Sequence, residues 1–155
     1  MYSKILVPLD GSKFAEGALE HVEVIARCEG VERIILLRVL EPLMSDVHDF
    51  IGAEHAREAE KKLEADARKY IKNVAARMKK DGLPAEGKMI LDVEPAEKIL
   101  ETAVEEEVDL IVMSTHGRSA IFHWVFGSVA HKVLGNSAIP VLVIPRRNRK
   151  SLRQD

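Results

Sequence analysis

The segment DLIVMSTHGRSAIFHWVFGS, Asp109 to Ser128, joins a short apolar run to a stretch bracketed by two glycines. "DLIVM" (Asp109–Met113) has the length and composition of a strand covered on both faces, as strands are inside a parallel sheet. In open sheets of that kind ligands bind outside the carboxyl ends of the strands, where the strand order reverses. The residues just after "DLIVM" are therefore the place to look for chemistry. Gly117 would open the turn after the strand, and "GSVA" (Gly127–Ala130) would present successive N–H groups and the Ser128 hydroxyl at the head of a helix, with Arg118 adding positive charge between them. The pattern fits a chain that wraps a ligand and seats phosphates on a helix terminus. It also fits two ordinary turns.

Outward from this segment, strand and helix patterns alternate. "KILVPLD" (Lys4–Asp10) reads as a buried first strand, and Ala15, Ala18, Leu19, Val22, Ile25 and Ala26 then recur at helical spacing, with Ser12 or Asp10 placed to cap the first turn and Gly30 to stop the helix. "RIILLRVL" (Arg33–Leu40) is a second strand. From Ala53 a charged segment carries Ala56, Ala59, Leu63, Ala67, Tyr70, Val74 and Met78 along one stripe, which predicts one long amphipathic helix ending near "DGLP". "EGKMILDV" is a third strand. A third helix begins at Pro95 with Ile99, Leu100, Ala103 and Val104 on one face. "DLIVMS" is the fourth strand, Gly127 to Asn136 a fourth helix, and "IPVLVIP" a fifth strand.

This alternation predicts a single α/β domain: an open, doubly wound, parallel five-stranded sheet in the order 3-2-1-4-5, Rossmann-like, with helices on both faces. The domain is expected over residues 1–146, with 147–155 a basic, solvated tail.

A chain of 155 residues is long enough for one core of its own. The single cysteine, Cys28, has no partner for an internal disulfide and lies on a helical pattern, where a core or half-buried place is expected. No signal-peptide pattern and no apolar run of membrane-spanning length occurs, so a cytoplasmic protein is expected. A net charge of -2 with acids and bases interspersed argues against nucleic acid as a partner. His116, His123 and His131 have no metal-ligand spacing with a cysteine or carboxylate cluster, and no metal site or catalytic residue is assigned. No nucleophile with its base is evident, which points to a binder and not to an enzyme of efficient turnover.

"VPLDGS", "LLRVLEP", "DLIVMSTHGRS" and "GSVAHKVLGNSAIPVLVIP" together resemble the universal stress protein family over nearly the whole chain. The nucleotide-binding branch of that family carries a glycine, two residues, a glycine, nine residues, and a glycine followed by serine or threonine. Here "STHG", the nine residues "RSAIFHWVF", and "GS" keep the spacing, with Ser114 where the first glycine is usual. The resemblance implies ATP, with Mg2+ or Mn2+ carried on its phosphates. It implies Asp10 near the ribose, Pro8 and Val39 around adenine, and Met113, Ser114, Gly117 and Arg118 along the ribose and phosphates. Gly127, Ser128 and Val129 would hold the triphosphate. Asp10 as a plain helix cap and Val39 as plain core stay open.

A nucleotide-dependent regulatory or stress-response protein, read by a protein partner not named by the sequence, is the function implied. The alternative, supported by Ser114, is a dimeric interaction module of the same family that does not bind nucleotide. A phospho-receiver would need an acidic pair after the first strand, and a P-loop enzyme or dinucleotide-binding dehydrogenase its own glycine pattern; none occurs. The last strand, Val141 to Ile144, is short, apolar and placed at a sheet edge, and both that placement and the resemblance imply a homodimer built on it.

Overall fold

The computed structural model of the chain describes residues 1–43, 52–115 and 127–145. Five strands form one parallel sheet: β1 (Lys4–Pro8), β2 (Arg33–Leu40), β3 (Ala85–Leu91), β4 (Leu110–Ser114) and β5 (Val141–Ile144), in the order β3-β2-β1-β4-β5. Among the described residues four helices connect them: α1 (Lys13–Glu29), α2 (Ala53–Lys80), α3 (Pro95–Glu105) and α4 (Ser128–Asn136). Order and alternation are those the sequence predicts. The tail and the 116–126 segment, with Gly117, Arg118, His116 and His123, lie outside the described residues.

Two apolar layers sandwich the sheet. Ile5, Val7, Ile34, Leu36 and Val112 pack against Ala18 and Val22 of α1 and Ile71, Val74 and Met78 of α2. Leu6, Ile35, Leu37, Ile111 and Met113 face the other way, onto Ala96, Ile99 and Ala103 of α3 and Ala130 and Val133 of α4. Ile5, Leu6 and Val7 are all fully buried, so β1 is covered on both faces. That explains its unbroken apolar run, since a strand with one wet face would alternate.

Local signals set the helix ends. Ser12 caps α1, its Oγ accepting from the Ala15 amide at 3.2 Å, and Gly30 ends α1 in the left-handed region at φ 69°. The cap thus belongs to Ser12 and not to Asp10. α3 starts on Pro95, whose missing N–H costs nothing in a first turn. Cys28 and Val104 differ from expectation. Cys28 is exposed, because the buried stripe of α1 passes through Val22 and Ala26. Val104 is 69% exposed, because α3 turns Ala96, Ile99 and Ala103 inward. No helix among the described residues is long and apolar enough to cross a membrane.

The amino ends of the strands are closed by charge. Arg33 at the start of β2 pairs with Glu86 of β3 and, at 2.8 Å, with Glu106 after α3, and Lys88 reaches Glu106 at 2.7 Å. Asp109 Oδ2 accepts from the amides of Ser3 at 2.7 Å and Lys4 at 2.8 Å, stitching the entrance of β4 to that of β1.

α2 lies so close to the sheet that a Cβ on Gly87 of β3 would stand 3.0 Å from the Ile71 carbonyl oxygen. The neighbour is helix backbone and cannot swing aside. Gly87→Ala is therefore expected to destabilise the protein by about 1–3 kcal/mol. An unchanged urea midpoint would contradict this account of the α2 contact.

Asp109 gives a second expectation. The Lys4 amide, and then that of Ser3, hold its carboxyl below the usual carboxylate value. A folded value below the unfolded one means stabilisation that is complete above the unfolded range, near about pH 4, and lost as pH falls through the folded value. Asp109→Asn should lower stability at neutral pH and flatten the acid limb of the stability curve. Parallel acid limbs in the two proteins would remove Asp109 from the pH response.

Candidate nucleotide cleft

A cleft of about 400 Å³ opens at the carboxyl ends of β1, β2 and β4. Strand order reverses there: the chain leaves β1 for α1 on one face of the sheet, while α3 and α4 lie on the other. Pro8, Asp10, Val39, Met113, Ser114, Gly127, Ser128 and Val129 all line this one cleft. Gly117 and Arg118, also expected there, are outside the described residues.

Asp10 is held by its own turn. Gly11 takes φ 86°, which favours glycine, and this lets the Ser12 amide donate to Asp10 Oδ1 at 2.9 Å. The carboxylate is thereby fixed at the rim.

Across the cleft, Thr115 ties β4, β5 and α4 together. Its amide donates to the Ile144 carbonyl at 3.0 Å, and its carbonyl accepts from the Gly127 amide at 2.7 Å. Gly127, extended at φ -67° and ψ 159°, is the N-cap of α4 and supplies no capping side chain. The sequence predicts a Gly127 amide that faces the ligand; here that amide is turned to Thr115. Among the described residues nothing accepts from the amides of Ser128, Val129 and Ala130, and all three residues line the cleft. These N–H groups, with the positive end of the helix behind them, suit an anion.

The cleft also holds residues to which the sequence reading gives no site role. Arg38, Glu41, Leu63, Pro95, Ile99 and Thr115 are among its walls. Arg38 carried a signal: it is the one charge inside "IILLRVL", just before the strand's end. Its Nη1 donates to the Val39 carbonyl at 2.9 Å. Leu63 was assigned to the core stripe of α2 yet is 40% exposed. The reason is length. Twenty-eight residues of α2 extend about 42 Å, whereas the seven of β3 extend about 23 Å, so the amino-terminal part of α2 overhangs the carboxyl ends of the strands.

Further along α2, Tyr70 donates to Glu16 Oε1 at 3.2 Å, and Arg77 donates to Glu16 Oε2 at 2.8 Å. Burial, then the Glu16 charge, pushes the Tyr70 phenol well above its usual value; Asp10 adds to the shift and Arg38 opposes it. α1, α2 and the cleft rim thus share one electrostatic neighbourhood. Among the described residues no cluster of histidine, cysteine and carboxylates could hold a metal ion.

Comparison with known proteins agrees with this architecture. The family model described as universal stress protein family matches residues 1–145. Universal stress protein MJ0577 of Methanocaldococcus jannaschii is 31% identical, over 96% of this chain and 98% of its own. A universal stress protein of Thermus aquaticus is 34% identical, over 93% and 99%. The solved structure of MJ0577 superposes with a TM-score of 0.82 at 32% identity, covering 96% of this chain and 99% of that one. Two solved members with nucleotide share the fold at lower identity. One is a universal stress protein in complex with cAMP, at TM-score 0.64 and 22% identity over 92% of this chain and 97% of that one. The other is an Arabidopsis thaliana family protein with AMP bound, at 0.68 and 18% over 96% and 95%. A sheet of this order, a cleft at its switch point, and a family match spanning every described residue lead to one statement: the chain belongs to the universal stress protein family.

Proposed function

We propose that this protein binds ATP in the cleft at the carboxyl ends of β1, β2 and β4, and acts as a nucleotide-dependent regulatory module in a stress response. The observation that carries this reading is the set of amides at Ser128, Val129 and Ala130 that have no acceptor among the described residues, standing in the same cleft as Asp10 and Val39. Phosphates would sit on those amides and on the Ser128 hydroxyl. The ribose would meet the fixed carboxylate of Asp10, and the base would lie beside Pro8 and Val39. A divalent ion, Mg2+ or Mn2+, would be held through the phosphates. Other members of the family, solved with cAMP and with AMP, support a nucleotide as the ligand class. Occupancy would be read by a protein partner through a shift in conformational populations.

The extended backbone of Gly127 makes a clean test possible. A residue preceding proline must be extended, and proline is well tolerated at the first helical position, which here is Ser128. Ser128→Pro removes one amide donor and one hydroxyl while α4 stays formed. It should weaken ATP binding by about tenfold or more, whereas His131→Ala, one turn along, should leave it unchanged. Equal affinities by calorimetry, in variants with matching circular dichroism, would remove α4 as the phosphate seat. If the parent binds no ATP at millimolar concentration, the interaction-module reading replaces this one.

We also propose a homodimer built on β5. Among the described residues the strand pairs with β4 alone, so its outer backbone groups face away from the sheet. Val141 and Val143 pack partly against the α3 and α4 layer, and Leu142 on the opposite face is 37% exposed. Joining two such edges satisfies the backbone and covers Leu142. The parent should therefore scatter light as a dimer, and Leu142→Lys should shift it toward monomer with the sheet intact. A monomeric parent at micromolar concentration would refute this.

A further inference from the structure

In a parallel strand the N–H and C=O of one residue point to one neighbouring strand, and those of the next residue point to the other. Leu37 O accepts from the Leu9 amide on the β1 side at 2.8 Å, and Leu40 O accepts from the Asp92 amide on the β3 side at 3.1 Å. Val39 O therefore points toward β1. The β1 ladder has already stopped there, because the chain turns away at Gly11. The carbonyl is left at the wall of the cleft, and its donor is the guanidinium of Arg38 at 2.9 Å.

We propose that Arg38 sets the base selectivity of this cleft, extending it from adenine to 6-oxopurine nucleotides. The inference rests on the nucleotide reading above, with the base beside Val39. A bare carbonyl at a strand end accepts a hydrogen bond and suits the 6-amino group of adenine, which donates. A guanidinium carries donors only. Laid over that carbonyl, it turns the same place into a donor and suits the 6-carbonyl of hypoxanthine or guanine. Glu41, further along the same rim, carries an acceptor-only carboxylate suited to the N1–H that accompanies a 6-carbonyl. Adenine reverses both groups. ATP thus needs Arg38 moved off the Val39 carbonyl, whereas a 6-oxopurine is received with Arg38 in place.

ATP and ITP differ only along this edge of the base, so the ratio of their dissociation constants reads it directly. Calorimetry on the full chain should find ITP bound by the parent at least as tightly as ATP. Arg38→Met keeps the apolar stem without donors, and Arg38→Gln offers an amide that complements adenine. Each should move the ratio toward ATP by about tenfold or more. Thermal melts verify that the variants fold, and either variant alone suffices for the comparison. Should the parent strongly prefer ATP, or should the ratio be the same in the parent and both variants, Arg38 does not read the base and this inference falls while the nucleotide reading stands. Should the parent bind neither ATP nor ITP, the nucleotide reading fails and this one fails with it.

Discussion

The hydrogen bond from the Leu9 amide to the Leu37 carbonyl is the last rung between β1 and β2, and the site depends on the ladder stopping there. β1 has neighbours on both sides, and after Leu9 its chain must leave the sheet to reach α1 on one face. β4 feeds the opposite side of the switch point, toward α4 on the other face. Among the described residues nothing covers the gap between them. The Val39 carbonyl, two residues beyond the last one paired with β1, and the first amides of α4 come to the surface of a concave wall. A parallel sheet creates such a place wherever its order reverses, and polar backbone left there must find a side chain, water or a ligand.

The two ends of the sheet divide the work. At the amino ends Arg33, Lys88, Glu86, Glu106 and Asp109 satisfy one another and the incoming backbone, so their charge is spent on closing the fold. At the carboxyl ends the charges sit on different elements: Asp10 in the turn after β1, where it accepts from the Ser12 amide, Arg38 near the end of β2 over a carbonyl, and Glu41 at the rim. Between the ends, both faces of β1 and β2 are buried by helices, and Gly87 lets α2 come within backbone contact of β3. That contact also fixes where the overhanging part of α2 stands, and so places Leu63 at the mouth of the cleft.

Much of this was legible in the sequence because it rests on short-range pattern. The apolar runs, the break at Gly30, the start at Pro95 and the long stripe of α2 gave the element order, and right-handed crossovers then left few topologies open. Eight expected site residues meet in one cleft because strand ends and helix starts mark the switch point before any coordinates exist. What periodicity could not supply was which residues of a stripe still have a sheet beneath them. Leu63 and Val104 satisfy helical spacing yet lie beyond or beside the packed area. Nor could it supply the partner of a single amide. Gly127 at the head of α4 donates to Thr115 just after β4, a tertiary pairing that a linear reading does not reveal.

Ser114 is where sequence and geometry bear on each other most directly. A glycine can be required for a positive φ or for close approach, and these are separate demands. Among the described residues the one non-glycine position with positive φ is Glu107, so Ser114 lies in ordinary backbone territory. It is the last residue of β4 and pairs in register with Ile144, as any strand residue could. Conformation therefore asks for no glycine here. What serine adds is a hydroxymethyl group at the wall of a cleft of about 400 Å³, and that group both accepts and donates. Its presence removes no amide from Ser128, Val129 or Ala130 and leaves the Asp10 turn untouched, which weighs toward a nucleotide site with one more polar contact and against a family member that has lost its site.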